Sequence, residues 1–200
     1  MKKCDNLKDF IRNIILGIGS GYIYIKISHI KKHKIYKKEQ ILEKIKSVYN
    51  TNLTRNQRTY RKNTKGLANF LGVEFNNCIV ILHTKGEIPQ DLDIGKGWVD
   101  FTIKNALSVE ISEFLTVNIY KDERQKLTAK LDKSIYRDYK NEILESFKTR
   151  NGNRFHKILK KVHNLPKYRG FQLQKRDIVF YINNLKKDTG IKWNIGYTYL

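Results

Sequence analysis

Long apolar runs are missing from this sequence. No stretch approaches the roughly 18 residues that a membrane-spanning helix needs, so no span is expected. The opening MKKCDNLKDF holds two acids and leads into too short an apolar run for a secretory signal. Cysteine is scarce. Cys4 and Cys78 are the two in the chain, with neither the spacing of a metal site nor the number of a disulfide framework. That usage points to a reducing compartment, cytoplasm or organellar matrix. No phosphate-binding glycine loop and no Gly-x-Ser-x-Gly elbow occurs, and no cofactor is expected. Gly17, Gly19 and Gly21 come before a strand rather than after one, the wrong order for a dinucleotide fingerprint, and read as a turn that stops a helix.

Acid is also scarce, in two places. Residues 1–66 carry 17 Lys and Arg against 4 acids, and residues 151–200 carry 11 against 2. Residues 67–150 carry 12 against 13, close to neutral, within a total of +21. A Lys-, Asn-, Ile- and Tyr-rich composition is what an AT-rich genome produces, yet such bias does not strip acids from two segments and spare the third. Charge of this size repels itself in a compact state unless an anion screens it. A polyanion is therefore the expected partner.

What is present is enough for a core: 40% hydrophobic residues, with twelve Tyr, nine Phe and two Trp. The densest apolar run, Cys78–Leu82, lies inside Val73–His83 and reads as a buried strand reached through a turn at Asn76-Asn77. Before it come a helix over Asp5–Leu16 with Asp5 as cap, a strand over Tyr22–Ser28 and a basic connector, His29–Lys38. Helices over Lys38–Tyr49 and Leu53–Leu71 follow, the second capped by Thr54. Helix, strand, helix, basic helix and hairpin is the element order of a winged helix. After a loop at Gly86–Lys96, three alternating segments, Trp98–Lys104, Leu107–Ser112 and Leu115–Tyr120, predict an antiparallel meander sharing a sheet with Val73–His83. A long helix is expected over Asp122–Lys148, helices over Arg154–His163 and Asp177–Lys187, and a strand over Ile191–Leu200.

The fold class is thus α+β: an antiparallel sheet of about five to seven strands, basic helices at both ends of the chain, and a winged-helix-like N-terminal part. Residues 1–84 form a basic helical part with hairpin. Residues 85–200 form the meander, the C-terminal basic helices and the final strand, either as a second unit or as one continuous domain.

Basic residues interleaved with aromatics are the strongest functional signal. Arg55, Arg58 and Lys62 fall at i, i+3 and i+7 on one helical face, with Arg61, Lys65 and Tyr60 close by. Lys31 and Lys32 precede Tyr36, while Lys157, Lys160 and Lys161 face outward from a later helix. Lys167, Arg169, Lys175 and Arg176 surround Tyr168 and Phe171. Such cations neutralise phosphates, and exposed Tyr stacks on unpaired bases. The expected function is non-catalytic nucleic-acid binding, with RNA favoured over DNA, in a nucleoprotein assembly with other proteins. A DNA-binding protein of a phage, plasmid or other mobile element is the first alternative.

A metal-dependent nuclease or replication enzyme is the second. It would use Asp91, Asp93 and Asp100 with Lys104, but Thr102 stands where the carboxylate-and-lysine pattern wants an acid. His29 and His33 lie in a lysine-rich connector that would repel a metal. His83 reads as a core histidine. No His-x-His pair supports Tyr136 or Tyr139 as a nucleophile, and Tyr139 reads as core with Tyr136 on the surface.

Overall fold

The structure, a computed structural model, describes residues 1–89, 92, 94–104 and 106–195. Its centre is a hairpin: β3 (Phe70–Phe75) and β4 (Cys78–Thr84) pair antiparallel across Asn76-Asn77, with Phe75 opposite Cys78. Asn76 takes φ +54°, a region that asparagine tolerates better than most residues. The outer side of β4 pairs with β2 (Tyr22–His29), and β1 (Lys2–Lys3) runs parallel to β3 at one edge. The short β5 (Val99–Asp100) closes the other edge against β2, giving a five-stranded mixed sheet in the order β1-β3-β4-β2-β5.

Both faces of this sheet are covered, which is why β4 is an unbroken apolar run. Cys78, Val80 and Leu82 point to α1 (Leu7–Gly19), and Ile79 and Ile81 point to α2 (Lys38–Tyr49). The helices before the hairpin therefore lie on opposite faces. On opposite faces, α1 and α2 contribute to separate cores. The α1 cap is Asn6 rather than Asp5, its side chain accepting from Asp9 N. Gly17 and Gly19 do not stop the helix. A Cβ on Gly17 would come within 3.0 Å of Leu71 Cδ2, so that glycine lets α1 approach the sheet; Gly21, at φ +89°, makes the turn.

The meander exists but stands apart from the first sheet. Its strands are β6 (Ala106–Ser112), β7 (Leu115–Lys121) and β8 (Leu127–Leu131), in that order. Two expectations are corrected here. Trp98–Lys104 is not a strand throughout: the Asp100 carboxylate accepts from Thr102 N (2.8 Å) and turns the chain into the short helix α4 (Phe101–Lys104). Nor does one helix run from Asp122 to Lys148. Asp122 Oδ1 accepts from Arg124 N and Lys126 N, Gln125 takes φ +58°, and the segment closes a β-turn. Leu127, Ala129 and Leu131 then alternate inward before Asp132 caps α5 (Lys133–Lys148). A spacing of four fits period 2 as well as it fits a helix, and the local Asx turn decided between them.

Next come α6 (Gly152–His163) and α7 (Arg169–Thr189), the latter starting eight residues earlier than expected. Gly170 makes that start possible: a Cβ there would lie 2.4 Å from Ala129 O, and its N–H donates to Thr128 Oγ1. Residues 191–195 form no strand, and 196–200 lie outside the described residues. Trp193 instead packs beside Phe147 and Phe155. One large core joins α1, the inner face of the first sheet, the meander and α5–α7, and a smaller one lies under α2.

Candidate nucleic-acid interface

The helix α3 (Arg55–Lys65, RNQRTYRKNTK) has five cations, no acid and no buried residue. A helix polar on every side gains nothing from a core, so other contacts must hold it. Thr54 and Gln57 form a reciprocal capping box, and Gly66 ends the helix in the left-handed region at φ +64°. Asn69 Nδ2 donates to Arg58 O (2.8 Å), and Arg61 Nη2 donates to Ala68 O (3.2 Å). These bonds tie α3 to the entry of β3 and fix which side it presents.

That side carries Arg55, Arg58, Thr59 and Lys62. They line a cleft of about 500 Å³ with Ser20, Tyr22, Asn69 and Thr84, at the end of the β2–β4 pair where Tyr22 faces Thr84. Among the described residues no carboxylate lines it. Arg58 Nε and Asn69 Oδ1 are buried there without a hydrogen-bond partner among the described residues. An unmet buried polar group costs about 1–3 kcal/mol, and a ligand that met one would recover part of that. The Met1 ammonium titrates below its ordinary value chiefly through burial, then through Lys46, with Glu43 opposing and Arg58 adding least.

The other expected cations fall into different surroundings. Arg61 turns toward the sheet, while Lys65 sits over the Tyr60 ring at 5.6 Å. Lys31 is exposed, and Lys32 pairs with Glu113 at 3.1 Å. Lys157, Lys160, Lys161, Lys167 and Arg176 are exposed, and none lines the α3 cleft. Arg169 is held by Asp122 and Glu123. Lys175 is 7% exposed, with Nζ donating to His163 O and Leu165 O at 2.9 Å each. It closes the end of α6, and burial followed by Lys167 lowers its pKa. Its role in the fold is to satisfy carbonyls at and just past the end of α6. Asn69, Thr84, Tyr22 and Ser20 had no signal in the sequence, because only the pairing of β4 with β2 on one side and β3 on the other brings them beside α3.

The acidic and nucleophilic candidates are placed only in part. Asp91 and Asp93 lie outside the described residues. Asp100 accepts from Thr102 N and Oγ1, which lowers its pKa. Among the described residues no three His, Cys, Asp or Glu gather as for a metal. His83 is buried against Tyr24, Phe70 and Trp98, and burial lowers its pKa. Tyr139 is buried, while Tyr136 is half-buried, donates to Asp177 and titrates well above its ordinary range through burial. An activated tyrosine needs the opposite shift.

No protein-family model, no curated protein and no solved structure matches this chain.

Proposed function

We propose that this protein binds nucleic acid without catalysis, using the α3 cleft to hold the phosphate backbone. The observation that carries this reading is α3 itself: five cations and no acid on a helix with no buried residue, tethered so that Arg55, Arg58 and Lys62 share a cleft. Surface cations usually ride on helices that a core needs for other reasons, and α3 has no such reason. RNA in a nucleoprotein assembly is favoured over DNA, because basic segments at separate places suit many-sided contact with a folded strand. The test is filter binding across a salt series. Affinity should fall steeply with salt as counterions are released, and Arg55→Glu, Arg58→Glu and Lys62→Glu together should remove most of it. A wild type whose affinity ignores salt would refute the reading.

A DNA-binding protein of a mobile element is the second reading. It is favoured by the strand order β3-β4-β2 with α2 and α3 preceding the hairpin, which would direct α3 to a major groove. The placement of α1 and α2 on opposite faces weighs against it. Competition between folded RNA and duplex DNA of equal length separates the two.

A further inference from the structure

Two aromatic rings stand almost wholly in solvent with no core contact to account for them. Tyr36 is 79% exposed in the 3₁₀ turn Lys32–Lys37, and Phe114 is 79% exposed at the tip of the β6–β7 hairpin. They are distant in sequence, and the fold ties their segments together. Lys32 Nζ lies 3.1 Å from Glu113 Oε1, and His29 Nε2 lies 2.6 Å from Glu110 O. The surface is mainly basic. Lys31, Lys34 and Lys37 are exposed in a stretch, residues 31–38, that holds no acid, while Lys32 is paired with Glu113 and Lys38 with the buried Glu74. Lys37 Nζ sits 5.3 Å above the Tyr36 ring.

We propose that this surface stacks unpaired bases on Phe114 and Tyr36 while the surrounding lysines hold the flanking phosphates. The inference rests on the nucleic-acid reading above and narrows the partner to one that presents single-stranded segments. Exposed rings beside cations are what sequence-tolerant single-strand binding uses. The geometry adds a reason for two surfaces. The α3 cleft begins beside Tyr22 and the aromatic surface follows His29, the two ends of β2. At about 3.3 Å per residue they are roughly 23 Å apart. A folded strand with paired and unpaired parts can meet both; a smooth duplex has no unpaired base to offer the second.

A lipid surface also pairs lysines with exposed aromatics. It fits less well here. The turn is a six-residue 3₁₀ helix rather than an amphipathic α-helix.

The test compares single-stranded RNA with duplex RNA of the same sequence, using wild type, Tyr36→Ala, Phe114→Ala and the double variant. Both side chains are exposed, so folding should be unaffected, and circular dichroism checks this. Each ring should cost roughly 5- to 100-fold in single-strand affinity, with duplex affinity within about twofold and the salt slope unchanged. Equal losses on both substrates, or no loss on either, would overturn the stacking surface while leaving the α3 reading in place. Absence of salt-dependent binding by the wild type would overturn both. Flotation of the wild type, but not Phe114→Ala, with phosphatidylserine vesicles would reassign the surface to a membrane.

Discussion

Helices α3 and α6 are nearly matched in charge and opposite in what holds them. α3 has five cations in 11 residues and α6 has four in 12, and neither contains an acid. Yet α6 buries Phe155, Ile158, Leu159 and Val162, whereas α3 buries nothing. On α6 the lysines are the solvated back of a core helix, and their presence needs no partner. On α3 the charged side is most of the helix, held by a capping box and two side-chain bonds. The face opposite the charge, more than the number of charges, tells a binding helix from an amphipathic one.

The largest expected effect attacks the α6 side of this contrast. Phe155 is fully buried, its ring 5.5 Å from Phe147 and 5.0 Å from Trp193. Phe155→Ala should cost about 3–5 kcal/mol in urea denaturation, the range for emptying a core aromatic site. Tyr60→Ala on α3 should stay within about 0.5 kcal/mol, as exposed substitutions do. Equal costs would mean that α3 is packed after all.

Binding should show the reverse order. Reversing Arg55, Arg58 and Lys62 should flatten the salt dependence of nucleic-acid affinity, by about 0.7–0.9 in log–log slope for each phosphate no longer neutralised. Reversing Lys157, Lys160 and Lys161 should leave that slope nearly unchanged. If the α6 variant weakens binding as much as the α3 variant, the two helices are equal partners and the cleft is not special.

A pH series separates the cleft from the core beneath the sheet. Burial holds His83 below its ordinary pKa in the folded state. The stability this implies is fully present above about pH 6.5, the unfolded value, and is lost as pH falls from there toward the folded value. His163 shifts the same way, through burial first and then Lys175. Among the described residues the α3 cleft is lined by arginines and a lysine and by no histidine. Melting temperature should decline below pH 6.5 while affinity for duplex RNA, which meets only the α3 cleft, stays flat for as long as the protein is folded. Duplex affinity that rose as pH fell through that window would place a histidine in the cleft, because an imidazolium adds a cation beside phosphate.

The same contrast explains how much was legible beforehand. Elements with one strong local signal could be read: the β3–β4 hairpin from its apolar run and paired asparagines, α2 from its periodicity, and the start of α3 from Thr54. Where two periodicities fitted, local side-chain chemistry decided, and Asp122 and Asp100 made turns that no pattern of apolar residues announces. The site was legible only as far as a single helix face could carry it. Arg55, Arg58 and Lys62 share a face by spacing, but Asn69 and Thr84 join them through strand pairing across the sheet. Lys175 resembled its neighbours in sequence and was taken inside because two carbonyls at the end of α6 needed a donor.

The smallest expected effect is the most discriminating. Thr54 caps α3 and Asn151 caps α6, the latter accepting from Arg154 N at 2.9 Å. Losing a cap costs about 0.5–2 kcal/mol wherever it happens, but where that cost appears depends on what else holds the helix. α6 is built into the large core, so it should unfold with the whole molecule. Asn151→Ala should therefore lower global stability by about 1 kcal/mol in urea. α3 can open alone, because nothing apolar is exposed when it does. Thr54→Ala should leave the urea midpoint within error, speed hydrogen exchange at the α3 amides several-fold, and weaken nucleic-acid binding by a similar factor. Local exchange and affinity moving together, with global stability still, is what a helix held out for a ligand should give. If Thr54→Ala instead lowers the urea midpoint as much as Asn151→Ala does, α3 belongs to the cooperative core, and its bare polar surface must be explained without a partner.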